Sequence, residues 1–188
     1  MRRLKIDEAF LGTWSPRYDE TEHDEDEYRS ILATVAEDVS GIQTLSRRSF
    51  ERIIEWKAAR VKAIINWNEF DVYGHAFKAC LESPDEQKLP ILDALYGIGV
   101  PVASTVLHFM YPDRFPIMDI RTVEVLHQAG CIESTQRDQK HYMPFRSAIL
   151  GIAQRSPGSS LREIDRSLFA YHKQRTRHRR HIHRSSGN

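Results

Sequence analysis

Apolar residues recur at three- and four-residue spacing along almost the whole chain, and no alternating stretch of any length interrupts them. That period puts a single stripe of side chains on one face of a helix, whereas a half-buried strand needs period two. The chain therefore reads as all-α. Tyr28, Ile31, Leu32, Val35 and Val39 share one face of a helix that Gly41 stops. A second helix, starting near Ser49, is expected to carry Phe50, Ile53, Ile54, Val61, Ile64 and Ile65 on one stripe. A shorter pattern spans Tyr73 to Leu81. Ser83 is then expected to cap the next helix, with Pro84 in its first turn and Glu86 as the capping-box partner. Further helices are expected over about 101 to 110, after Asp119, near Met143 to Gln154 and over Leu161 to His172.

The pattern breaks once in a telling way. "LDALYGIGVPVASTVL" places Gly97 and Gly99 between two helical runs. Gly97 suits the positive φ that closes a helix, and Gly99 allows a close approach of backbone to something else. Pro101 belongs in the first turn of the following helix, where its missing N–H costs nothing. The free N–H groups near Gly99 and Val100 then stand at the positive end of a helix dipole, a place for an anion such as a nucleic-acid phosphate. The full spacing is satisfied by Leu92, Leu95, Gly97, Ile98, Gly99, Ala103, Val106 and Leu107, and it resembles the helix-hairpin-helix motif of DNA-binding proteins, here over residues 89–110.

Downstream, "FPIMDIRTVEVL" resembles the second half of the signature of the HhH-GPD superfamily of base-excision DNA glycosylases, in which an Asp stands at the start of the helix after the hairpin. The resemblance covers residues 46–172. It implies a two-lobed helical fold, double-stranded DNA as partner, and Asp119 as the carboxylate that assists attack of water on the glycosidic carbon. Gly97, Gly99 and Val100 would hold a phosphate, and Arg121 would contact another. Family members that also nick the strand carry a Schiff-base lysine shortly after the second glycine; here that position is Pro101, which implies base removal without incision. With only Cys80 and Cys131 the iron–sulfur cluster of many relatives is excluded. No metal or other cofactor is expected, although some relatives hold a monovalent cation at the hairpin carbonyls. Asp119 has a plainer role as well: Asp is a favoured N-cap, worth about 1 kcal/mol.

A second constellation is "EWKAARVKAIINWN". Lys57 falls in the middle of the Phe50–Ile54–Val61–Ile64 stripe, where it either snorkels to water or enters a cleft. The functional reading has Lys57 and Arg60 reaching DNA phosphates, and Trp56 or Trp67 stacking on an everted base. Lys57 as a relocated Schiff-base amine is the remote version of that reading. "SLREIDRSLFAYHK" reads as a packing helix whose Arg162 and Arg166 face DNA, and Asp113 reads as a turn residue.

Charge divides the chain further. The net charge is only +1, yet "DETEHDEDE" is almost wholly acidic and "KQRTRHRRHIHRSSGN" carries no acid. The acidic run reads as a solvated face or loop. The end, with Lys173, Arg175, Arg177, Arg179, Arg180 and Arg184, reads as a disordered basic arm, and its histidines (His172, His178, His181, His183) as part of that arm rather than a metal site. The expected organisation is an N-terminal lead over 1–45, the HhH-GPD-like domain over 46–172 and a flexible tail over 173–188. No apolar run approaches the roughly 18 residues of a membrane span, and no signal peptide is expected, so the chain is expected to be a cytoplasmic, nucleoid-associated monomer. Two other classes stay open: a non-catalytic helix-hairpin-helix module that binds DNA, and a helical scaffold whose hairpin binds nothing.

Overall fold

The computed structural model describes residues 4–185, with side chains described to residue 177. Its helices are α1 (Glu8–Asp19), α2 (Glu25–Gly41), α3 (Arg47–Ala58), α4 (Phe70–Glu82), α5 (Asp85–Asp93), α6 (Val100–Met110), α7 (Ile120–Gln128), α8 (Gln139–Arg155) and α9 (Leu161–Ser185), with no strand among the described residues. The all-α expectation holds. Among these described residues no helix is long and apolar enough to cross a membrane.

Helix α6 explains the packing. It is apolar on nearly all sides, and every residue but Pro101 is buried, which is the pattern of a helix enclosed by others. Helices α2, α3 and α5 pack against it, and α4 packs on α5. A second set forms around α9, which takes α1, α7 and α8. One continuous apolar core joins the two sets. The first helix thus packs with the last three, while α2 packs on α3 and α6.

Several local expectations are corrected. The long helix from Ser49 ends at Ala58; a 3-10 segment (Ala59–Ala63) and a 3-10 turn (Trp67–Glu69) follow. No Gly or Pro marks this break. It lets Ile64 and Ile65 turn onto the hairpin, and the Trp67 indole N–H donates to the Lys62 carbonyl at 2.8 Å. Ser83 does not cap α5; Pro84 holds that position, with no side-chain cap. The basic end continues α9 as helix to Ser185 instead of leaving it as an irregular arm, with Lys173 paired to Glu22. The side chains of Arg179, Arg180, Arg184, His178, His181 and His183 lie outside the described residues.

The hairpin forms as expected between α5 and α6. Gly97 has φ +80°, and a Cβ there would stand 3.2 Å from both Ile64 Cγ2 and Ile65 Cδ1. Gly99 is extended and meets only Pro101 Cδ at 3.9 Å. Gly97→Ala is therefore expected to cost about 2–3 kcal/mol in urea unfolding, from left-handed strain plus crowding. Gly99→Ala, which only weakens an N-cap, should cost about 0.5–1 kcal/mol. Equal effects would mean that the turn relaxes without strain.

Candidate active site

Asp119 is set in place from α6. After α6 a turn closes from Tyr111 to Arg114, with Pro112 and Asp113 at its centre, so Asp113 is the turn residue its sequence suggests. The chain then runs extended and buried through Phe115, Ile117 and Met118. Three side chains from other elements hold the polar groups of this run, as buried backbone requires. His108 Nδ1–H donates to the Phe115 carbonyl at 2.9 Å, Tyr142 donates to the Pro116 carbonyl at 3.0 Å, and the Met118 N–H donates to Ser104 Oγ at 3.0 Å. Burial lowers the His108 pKa to about 4, so the ring is neutral and its Nε2 accepts from the Tyr28 hydroxyl at 2.8 Å. Ser104 lies one turn into α6, a rise of about 6 Å from Val100. Asp119 therefore begins α7 close to the hairpin end of α6.

At that point one oxygen of Asp119 does the capping. Oδ1 accepts from the Arg121 N–H at 2.7 Å and the Thr122 N–H at 2.9 Å, and Thr122 Oγ1 returns a bond from the Asp119 N–H at 3.2 Å. Oδ2 is left with only a loose approach by Arg121, at 3.7 Å. The Asp119 side chain, 16% exposed, lines a cavity of about 190 Å³ together with Lys57 of α3 and Asp165 of α9. Larger hollows exist, one of about 520 Å³ beside the hairpin among them, but that one is lined mainly by apolar and aromatic groups and by no lysine or arginine. Convergence of charged groups, not size, marks the site.

Behind the cavity lies a buried guanidinium. Arg162, 7% exposed, pairs with Asp24 at 3.1 Å, Glu25 at 3.4 Å and Asp165 at 3.2 Å. Its carbon stands 5.0, 4.6 and 5.2 Å from the rings of Tyr18, Tyr28 and Trp56. Burial works to lower its pKa, but Asp165 and Tyr18 outweigh that and raise it, so it is a permanent cation. Asp24 stands at the N-cap of α2 without capping it, because its oxygens go to Arg162 and to the Tyr18 hydroxyl at 2.9 Å. For Asp165, burial and the Asp119 charge raise the pKa to about 6 against the pull of Arg162 and Lys57.

The residues singled out in the sequence separate accordingly. Asp119, Arg121, Lys57 and Trp56 meet at the cavity. Lys57 enters it from the last turn of α3, without an ion pair among the described residues, and does not sit in a continuous apolar stripe. Arg121 lies over the Phe169 ring at 4.5 Å. Trp56 packs edge-on against Phe109 at 5.3 Å and tilted against Tyr28 at 5.9 Å. Trp67 is elsewhere, against Phe50 and under Arg47, and Arg60 is exposed on the 3-10 segment; neither lines the cavity. Gly97, Gly99 and Val100 form the hairpin at the head of α6, where Gly99 accepts from Val102 and Ala103 at 2.9 Å and leaves its own N–H without a partner among the described residues.

Arg162 and Arg166 do not face outward. Arg166 pairs with Asp19 and with Glu25, the latter at 3.5 Å. Asp19, Glu22, Asp24 and Glu25 of the acidic run are the counter-charge of α9, while Glu20, Asp26 and Glu27 are exposed as the sequence suggests. Sequence reading missed Tyr18, Asp24 and Asp165 as site residues, and it set Arg162 outward toward DNA instead of in the buried cluster. Comparison with protein-family models, curated proteins and solved structures gives no significant match.

Proposed function

We propose that the protein is a monofunctional DNA glycosylase of the HhH-GPD type, removing a damaged or modified base from duplex DNA by hydrolysis. The observation that carries this reading is the division of labour within Asp119: one oxygen caps α7, and the other, approached loosely by Arg121, lines a cavity. About 190 Å³ is several times the roughly 30 Å³ share of a water and below the roughly 300–1,000 Å³ of drug-sized sites, a scale suited to one flipped base. Breaking the glycosidic bond develops positive charge on the sugar, which a fixed carboxylate stabilises while it takes a proton from the attacking water. The hairpin N–H groups would bind a neighbouring phosphate, and Lys57 and Arg121 supply cations at the mouth. Asp24, Glu25 and Glu22 nearby are neutralised by Arg162, Arg166 and Lys173, so they do not repel the backbone as bare charges.

Duplexes carrying alkylated, oxidised, deaminated or mismatched bases, incubated with the protein and then treated with hot alkali, test this. At least one should be cleaved after alkali and none before it. Salt-sensitive binding to every duplex with cleavage of none would instead favour a non-catalytic helix-hairpin-helix module. Absence of binding at low salt would remove both readings.

A further inference from the structure

Asp165 has a place that packing does not require. It lies on the face of α9 that also presents Arg162 and Phe169 to the cavity, its side chain is 14% exposed, and only Oδ2 is engaged, by Arg162 at 3.2 Å. Across the same cavity stands Asp119, whose Oδ1 accepts two backbone N–H groups and whose Oδ2 is the proton acceptor of the reaction above. Two carboxyls on one small cavity, one bound as acceptor and one with an oxygen free to hold a proton, are arranged as an acid and a base. We propose that Asp165 is the general acid of this site and protonates the departing base. The inference rests on the glycosylase reading and adds the second half of its chemistry.

The bond from C1′ to the base nitrogen breaks, its electron pair passes to the base, and the proton on Asp165 Oδ1 transfers to the base. The water oxygen bonds to C1′, and its proton passes to Asp119. Free base and an abasic sugar result, with Asp165 ionised and Asp119 protonated, and exchange with solvent restores both. The charged and titratable groups around Asp165 come from every neighbouring element: Tyr18 and Glu22 from α1 and the turn after it, Asp24 and Glu25 from α2, Lys57 from α3, Asp119 and Arg121 from α7, and Arg162 on α9 itself.

Leaving groups differ in their need for this proton. A neutral base departs as an anion unless protonated, whereas a 7-methylguanine base is already cationic in DNA and departs neutral. Single-turnover excision by Asp165→Asn is the test, on one duplex with an uncharged deaminated base and one with 7-methylguanine. The variant keeps an oxygen for Arg162, and a thermal melt confirms its fold. On the uncharged base the rate should fall about 10²–10⁴-fold, and on the cationic base less than about tenfold, whereas Asp119→Asn loses both. The wild-type rate on the uncharged base should decline as pH rises beyond about 6, and that dependence should vanish in Asp165→Asn. Equal losses on both bases, or a pH profile unchanged in the variant, would overturn the proposal. So would excision confined to cationic bases, which need no donor. A wild-type protein that binds duplexes and excises nothing would remove the glycosylase reading and this proposal together, an outcome distinct from the others.

Discussion

Asp119→Asn is expected to abolish base excision, by about 10²–10³-fold or more, while leaving the melting temperature within a degree or two of the wild type. Asn and Asp are nearly equal as N-caps. The Asn side-chain oxygen can still accept from the N–H groups of Arg121 and Thr122, and the return bond through Thr122 is untouched. What disappears is the negative charge on the second oxygen, which the cap does not use. Asp119→Ala removes both functions and should lose about 1 kcal/mol of stability as well. Full activity in the Asn variant would make Asp119 a helix cap and nothing more. Single-turnover kinetics and a thermal melt on the same preparation read both quantities.

Arg162→Ala should have the largest effect on stability, about 3–5 kcal/mol by urea denaturation, or roughly 10 °C in Tm for a chain of this size. The loss is not that of one contact. Asp24, Glu25 and Asp165 all lean on the same guanidinium, and its removal takes the buried counter-charge from all three at once. Three aromatic rings lose the cation they enclose. Arg162→Lys should recover only a minor part, since an ammonium cannot serve three carboxylates and three ring faces with one planar fork. A cost below about 1 kcal/mol would show that water enters and replaces the guanidinium.

Much of the helical scheme was legible because it is local. Asp119 could be placed at the head of α7 from its N-cap preference, and Gly97 at a turn from its conformational freedom. Helix α1 was not: Phe10, Leu11, Trp14 and Tyr18 do keep helical spacing, but Pro16 lies inside the helix and Gly12 interrupts it. The end of α3 at Ala58 escaped because nothing local breaks it; Ile64 and Ile65 are drawn away by the hairpin they cover. Arg162 reads as an outward, DNA-facing position of a packing helix because its partners on the first two helices lie far off along the chain. The separation is 138 residues for Arg162 and Asp24. A signal did exist: an acidic run near one end and a basic helix near the other are complementary in charge.

That complementarity has a kinetic side. The wall of the cavity is closed by joining the two ends of the chain, as when Arg166 donates to the Ser15 carbonyl across a separation of 151 residues. Closing so long a loop costs entropy before any contact repays it, and structures rich in such pairings fold slowly. Helices α2 to α6 can pack through nearer contacts, so the hairpin can be in place while the cavity is still open. The same joining that encloses the charged cluster carries a loop-closure cost that the nearer contacts of α2 to α6 do not.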